Sequence, residues 1–245
     1  KNSPRRSRRP MPEKFMWLLT GALVVAGEVA MSLYHVSLFD TYLRPTALLW
    51  PFTDDVVSPK QGEGGTHVLI VSPVERDVAT KTNTFDETVL LDGSLVPNLG
   101  ELLSLQVERQ EKKRAADVNA GVAEGGLPVP LWDFDARRMF LQWRGAVTLL
   151  GLPEMETLYQ CRHGGASRDL LLKRRTETEI QARLHHASAG SSRIYKKPGR
   201  LLQLVNTLGP SALSYASRIR DNYSKYFLAG KFPEPPVAQS RVDLS

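Results

Sequence analysis

The chain is poor in several things that would assign it quickly. It has one cysteine, Cys161, in 245 residues, which excludes an internal disulfide framework and any Cys-rich zinc site. Five histidines are too few and too scattered for a metal cluster, and the adjacent His185 and His186 have no companion ligands nearby in the sequence. Its longest apolar run, Phe15 to Gly27, is interrupted by Glu28, well short of the roughly 20 residues a spanning helix needs. The run follows a basic stretch, so a secretory signal or membrane anchor is the alternative to a buried helix. Val29, Ala30, Leu33 and Val36 continue the pattern beyond Glu28, which predicts one long buried helix. No internal repeat is visible. The composition is that of an ordinary globular chain, 42% hydrophobic and 24% charged, which excludes a disordered or collagen-like chain. Because the first residue is Lys1 rather than methionine, a fragment or a processed product is expected.

Positive charge is present in excess and is unevenly placed. The formal net charge is +6. Lys1 to Lys14 carries six Lys/Arg against Glu13, and Arg162 to Arg200 carries ten against Asp169, Glu177 and Glu179. The rest of the chain is therefore mildly acidic. The positive balance fits an anionic partner such as nucleic acid or an acidic membrane surface, and two concentrated basic blocks on such a body fit a polyanion. Residues 1–14 read as a basic disordered arm, 15–228 as the folded domain and 229–245 as a disordered tail.

Local signals place the elements. Pro45 suits the first position of a helix, so Arg44 is expected at a helix N-terminus, where free N–H groups favour an anion. Val68–Val71 and Thr88–Leu91 read as strands, joined by a polar connection with Lys81 near the tip of a hairpin. Leu99 to Val107 reads as a helix running into Glu108–Arg114, and Asp117 to Gly126 as a flexible loop. Asp135 is a helix cap for a face of Met139, Trp143, Ala146 and Leu150. Thr176 and Glu179 have capping-box spacing, starting a helix with Ile180 and Leu184. A helix over Ser191–Lys197, a break at Pro198-Gly199 and a short apolar helix over Leu201–Leu208 complete the reading.

The stretch richest in chemistry is Leu158-Tyr159-Gln160-Cys161-Arg162-His163-Gly164-Gly165-Ala166-Ser167, followed by Leu184-His185-His186 and then Tyr195. Together with Leu43-Arg44-Pro45 and Lys81, this resembles the catalytic core of the tyrosine recombinase (phage integrase) family, over roughly Leu18 to Leu204. The strings Arg-His-Gly-Gly-Ala-Ser and Arg193-Ile194-Tyr195-Lys196-Lys197 look most like integrase-like proteins of eukaryotic mobile elements. The resemblance implies a mainly helical α+β domain with a small antiparallel sheet or hairpin, acting on double-stranded DNA as a tetramer. It implies Arg44 and Arg162 as phosphate-binding arginines, Lys81 as general acid, His186 as a phosphate-positioning residue and Tyr195 as nucleophile. Tyr159, His163, Arg193, Lys196 and Lys197 are the expected phosphate- or DNA-contacting neighbours.

That assignment is chemically coherent. Arginine forks bind non-bridging phosphate oxygens and stabilise charge that builds in the transition state. A tyrosine phenol, with a solution pKa near 10, needs nearby positive charge or a base before it can attack. The implied chemistry requires neither metal nor cofactor. Departures are also present. Tyr159 stands where many members carry histidine, Ala47 replaces a frequent acidic residue, and His185 replaces a common glycine. These leave open a decayed copy that binds DNA without cutting it; a type IB topoisomerase would share the chemistry. The family's N-terminal core-binding domain, which closes the clamp around DNA, is expected to be missing from a fragment of this kind. The expected location is nuclear in a eukaryote, otherwise cytoplasmic or nucleoid, and no membrane partner is expected.

Overall fold

A computed structural model of the chain describes residues 9–60, 65–76, 85, 87–152, 154–184 and 198–236. Within them lie the helices α1 (Glu13–Val25), α2 (Val29–Thr41), α3 (Pro45–Leu49), α4 (Leu99–Asn119), α5 (Ala136–Leu149), α6 (Tyr159–Leu171), α7 (Glu177–Arg183), α8 (Pro198–Val205) and α9 (Pro210–Ala229). The strands β1 (Val56–Val57), β2 (Val68–Val71) and β3 (Glu87–Leu90) form one antiparallel sheet in that order. The α+β class with a small antiparallel sheet is as the sequence predicts.

The apolar run after the basic arm is a core element. Every residue of α1 from Phe15 to Val24 is buried, and so is every residue of α2 from Met31 to Thr41. Helices buried on every face belong inside a protein or a bilayer, and α2 takes polar groups such as His35 and Asp40 inside with it. Here protein surrounds them: α1 packs on α2, α5, α6 and α9, and α2 packs on α4 and α6. Among the described residues no helix is long and apolar enough to cross a membrane. The expectation of one continuous helix is corrected. The chain breaks between α1 and α2, with Gly27 at φ +85°, a conformation open to glycine because it lacks a Cβ.

Both expected termini are also revised. The expectation of disorder is corrected for residues 10–14, because Pro10, Met11 and Pro12 are buried and the Met11 amide donates to the Gln160 carbonyl at 3.0 Å. Glu13 and Lys14 open α1, and Lys14 Nζ donates to Ser217 Oγ at 2.6 Å. At the other end, the segment after α9 folds back where a tail was expected. Gly230 takes the left-handed position that ends α9. Phe232 then packs against Tyr223 and Tyr226, and the Tyr215 hydroxyl donates to the Pro233 carbonyl at 2.9 Å. The face of α9 made by Tyr215, Ala216, Ile219, Tyr223 and Phe227 is buried in its own chain, on α1, with the Trp17 and Tyr223 rings 5.5 Å apart.

The capping signals are realised. Asp135 accepts from the Arg138 amide at 2.7 Å, and Met139, Trp143, Ala146 and Leu150 are buried. Thr176 and Glu179 form the reciprocal box, at 3.2 and 2.6 Å. In the sheet, Leu69, Val71 and Val89 face the core, and Val71 pairs with Glu87, so residues 72–86 connect β2 to β3. The predicted loop over Asp117–Gly126 begins later, because α4 runs to Asn119. Pro198 and Gly199 are already part of α8, which was expected to start after them, as the missing N–H of Pro198 permits at a helix start. The helix expected over Ser191–Lys197 lies outside the described residues.

Two glycines set how α6 sits. A Cβ on Gly164 would collide with the Met11 carbonyl and the Phe39 ring, and one on Gly165 with the Phe39 carbonyl and the Tyr42 ring. The α6 backbone therefore lies directly on the end of α2 and on the segment before α1. Gly145, on the exposed side of α5, meets nothing within 4 Å. Opposite effects of one substitution follow. Gly165→Ala should destabilise the chain by about 3 kcal/mol through overpacking, whereas Gly145→Ala should stabilise it by about 0.5–1 kcal/mol. Urea unfolding of the two variants measures both; equal shifts would contradict the packing.

His35 gives a second prediction. It is buried between α1 and α2 with Nδ1 3.1 Å from Thr20 Oγ1, and burial lowers its pKa to about 3. The unfolded chain therefore binds a proton that the folded chain refuses between about pH 6.5 and pH 3. Stability is full above pH 6.5 and falls on acidification, by about 1.4 kcal/mol per pH unit from this group. Burial raises the pKa of Asp40, which acts in the opposite direction but is common to wild type and variant. His35→Leu should flatten the slope of unfolding free energy between pH 6.5 and 4.5 by about 1.4 kcal/mol per unit; parallel slopes would refute it.

Candidate active site

The segment carrying Arg44 is built by a reversal at Tyr42. This residue adopts the left-handed conformation, φ 57° and ψ 19°, at the end of α2, unusual for a bulky residue. Its phenol donates a short hydrogen bond to Asp169 Oδ2, which anchors the ring. The chain then reaches Arg44, extended at φ −69° and ψ 143°, and Pro45 opens α3 as predicted. The Tyr34 hydroxyl holds the Pro45 carbonyl, and the Trp132 indole holds that of Leu48, each at 2.7 Å. Arg44 itself is half-buried.

Arg162 lies in the first turns of α6 and is 1% exposed. Nη1 donates to the Tyr42 carbonyl and Nη2 to the Leu184 carbonyl, both at 2.5 Å. One guanidinium thus bridges the strap leading into Arg44 and the residue after α7, from which the chain continues to His185 and His186. Arg162 was expected to face a phosphate; the structure places it beneath the surface, holding two peptide carbonyls. Tyr159 is half-buried at the start of α6, with the Arg162 guanidinium 6.0 Å from its ring centroid. His163 was also expected near DNA. It is 5% exposed, one helical turn on, its ring 5.4 Å from that of Tyr159.

Of the other sequence-predicted residues, Lys81, His186, Tyr195, Arg193, Lys196 and Lys197 lie outside the described residues. In the sequence Lys81 falls between β2 and β3, which pair antiparallel. The structure therefore joins the segments of Arg44 and Arg162 and brings the end of α7 to both.

Around this junction lies a set of charged residues that the motif reading missed. Asp169 Oδ1 accepts from Arg168 at 2.6 Å, and its Oδ2 accepts from Arg175 at 3.0 Å and stands 3.2 Å from Ser94 Oγ. Arg168 also pairs with Glu13 at 2.6 Å. Arg175 forms a two-pronged pair with Asp92, 2.6 Å on each arm. Arg183 donates to the Asp40 carbonyl at 3.1 Å and the Leu90 carbonyl at 2.8 Å, and stands 3.7 and 3.6 Å from the Asp40 and Asp92 carboxylates. Asp40 further accepts from Ser94 Oγ and the Leu95 amide. Desolvation raises the Tyr42 pKa, and the charge and hydrogen bond of Asp169 add to it; the phenol is a fixed donor. For Asp92, burial pushes the pKa up, but the Arg175 hydrogen bond and the charges of Arg183 and Arg175 outweigh it and hold the carboxyl below its ordinary range. An available signal was the concentration of Arg168, Arg174, Arg175 and Arg183 around the lone Asp169.

Among the described residues no group of three or more His, Cys, Asp or Glu could hold a metal ion. A cavity of about 390 Å³ opens beside α3, lined by Ala47, Trp50, Phe52 and Arg76 among others. Arg76 stacks on Phe52 and pairs with Asp55 at 2.7 Å. Neither Arg44 nor Arg162 is among the described residues that line it.

No protein-family model matches the chain, and no curated protein matches it. Solved structures do, two of them complexes of one protein. One is the XerH site-specific recombinase bound to palindromic difH substrate in a post-cleavage complex, with a TM-score of 0.55 and 15% identity over 83% of this chain. The other is XerH bound to difH substrate in a pre-cleavage complex, with a TM-score of 0.52, the same identity and the same coverage of this chain. The chain spans about half the length of those proteins, 54% and 55%. At this identity the likeness speaks for the fold, and the mainly helical chain with its three-stranded antiparallel sheet has the fold of a tyrosine recombinase catalytic domain.

Proposed function

We propose that the chain is the catalytic domain of a site-specific DNA recombinase that cleaves and rejoins strands through a phosphotyrosine link. The observation that carries this reading is the bridge made by Arg162 between the Tyr42 carbonyl and the Leu184 carbonyl. In a chain with a recombinase-like fold, it gathers the segments of two motif arginines and the start of the segment leading to His186 and Tyr195.

In this reading Arg44 and Arg162 bind the non-bridging oxygens of the scissile phosphate and stabilise the charge added in the transition state. The Tyr195 phenolate attacks phosphorus, the bond to the 5′-oxygen breaks, and Lys81 donates the proton to that leaving oxygen. His186 orients the phosphate. Energy conserved in the phosphotyrosine bond permits rejoining by the reverse attack. Tyr159, His163, Arg193, Lys196 and Lys197 supply neighbouring contacts or charge, and double-stranded DNA is the partner, held by a homotetramer. The location is nuclear in a eukaryotic host, otherwise cytoplasmic or nucleoid. The affinity with mobile-element integrases rests on the strings at Arg162–Ser167 and Arg193–Lys197 alone.

A second reading is favoured by the burial of Arg162. A guanidinium committed to backbone carbonyls is a structural tie, and a decayed recombinase that retained only DNA binding would keep such a tie.

A suicide substrate nicked near the cleavage site separates the two. The first reading expects a covalent protein–DNA adduct on a denaturing gel, lost in Tyr195→Phe and reduced at least about 100-fold in Arg44→Ala. An adduct that survives Tyr195→Phe would reject the assigned nucleophile. DNA binding without any adduct, with affinity falling by about 0.9 log unit per log unit of salt for each phosphate contact, would select the second reading.

A further inference from the structure

The Arg183 side chain is 8% exposed, yet it lies on a short surface helix and contacts three other parts of the chain. Its guanidinium holds the carbonyl of Asp40 near the end of α2 and that of Leu90 at the end of β3. It also faces the Tyr42 ring at 5.5 Å. The next residue, Leu184, offers the carbonyl that receives Arg162. Tyr42 is bound twice, through its phenol to Asp169 and through its carbonyl to Arg162. Asp169 binds Arg175, which reaches Asp92 just beyond β3. The same few groups therefore tie together the ends of α2, β3 and α7 and the body of α6.

These are the segments that carry or lead into each motif residue. The end of α2 leads to Arg44, α6 carries Arg162, β3 forms one side of the connection containing Lys81, and α7 precedes His186 and Tyr195. We propose that Arg183 is a positioning residue which, with Tyr42 and Asp169, fixes the Arg44 strap against Arg162 and locks β3 and α7 into the same register. The inference rests on the recombinase reading for its catalytic consequence and on geometry alone for the coupling. A lysine at 183 keeps the charge but lacks the planar fork that reaches two carbonyls at once. A phenylalanine at 42 keeps the ring and removes only the bond to Asp169.

The experiment has two arms, applied to Arg183→Lys and, in case that variant folds poorly, to Tyr42→Phe. The first is amide hydrogen exchange on the free protein. Protection should fall by about tenfold or more, together, in peptides covering the ends of α2 and β3 and the start of α6. A change confined to α7 in Arg183→Lys, or to Tyr42 and its immediate neighbours in Tyr42→Phe, would overturn the coupling, whatever the activity. The second arm is single-turnover adduct formation on the nicked substrate, with DNA affinity measured in parallel. Misplacement of the phosphate-binding groups should slow cleavage by about 10- to 100-fold while DNA affinity stays within about threefold. Equal slowing of cleavage and loss of binding would indicate a merely structural role and overturn the positioning assignment, as would an unchanged cleavage rate. A wild-type chain that forms no adduct sinks the recombinase reading and the catalytic half of this inference, and hydrogen exchange still decides the coupling.

Discussion

The backbone of α6 rests on the carbonyl oxygens of Met11 and Phe39, an approach that only glycine at 164 and 165 allows. This contact decides where Arg162 can reach. Two residues before the glycine pair, its side chain passes under the reversed end of α2 and meets the Tyr42 carbonyl. Were α6 held off by the width of a methyl group, the guanidinium would lose its simultaneous bonds to Tyr42 and Leu184. The geometry of the candidate site thus depends on two residues that carry no functional group.

Burying so much charge beside that contact is costly unless each charge is paired. The arrangement alternates sign: Glu13, Arg168, Asp169, Arg175, Asp92, Arg183, Asp40. Hydrogen bonds from Ser94 and the Leu95 amide serve Asp40 Oδ1, an oxygen that the arginines leave over. Asp40, the most deeply placed, has its pKa raised chiefly by burial, with the Arg183 charge opposing. Such a network contributes less to net stability than to choosing one arrangement of four chain segments, because removing any member leaves its neighbour charged and desolvated.

What the sequence made legible was local. The capping box at Thr176 and Glu179, the cap at Asp135 and the face of Met139, Trp143, Ala146 and Leu150 are each specified within one turn or one helix, and each is present. The apolar run from Phe15 was legible as buried, but not its break, since Gly27 inside an apolar pattern does not announce a left-handed turn. Arg44 before Pro45 was legible as a helix entry; the left-handed Tyr42 that aims it was not, because a tyrosine takes that conformation only when distant groups, here Asp169 and Arg162, hold it there. Burial of Arg162 and His163 was illegible for the same reason. A basic block in one dimension says nothing about which of its members α6 turns inward. Phe232 shows the converse, an aromatic in a Pro-rich tail that finds partners on the helix before it.

The carbonyl bonds of Arg162 bear directly on the choice between an enzyme and a binding protein. A peptide carbonyl is a neutral acceptor, whereas a phosphate oxygen is charged and forms hydrogen bonds about twice as strong. Phosphate can therefore compete for this guanidinium, provided that the Tyr42 and Leu184 carbonyls do not stay buried and unserved, at about 1–3 kcal/mol each. The two carbonyls differ in this respect. Tyr42 is fixed by its phenol on Asp169 and by the packing of Gly165, so its carbonyl cannot turn away without breaking the α2–α6 contact. Leu184 belongs to the residue after α7, whose backbone leads straight into the His185–His186 pair. Exchange of the Leu184 carbonyl for a phosphate oxygen, with the Tyr42 bond kept, would leave Arg162 anchored to the Arg44 strap while freeing one nitrogen to act. In the enzymatic reading the fixed bond preserves the alignment of the arginines and the exchangeable one admits the substrate. In the binding reading both bonds persist on DNA.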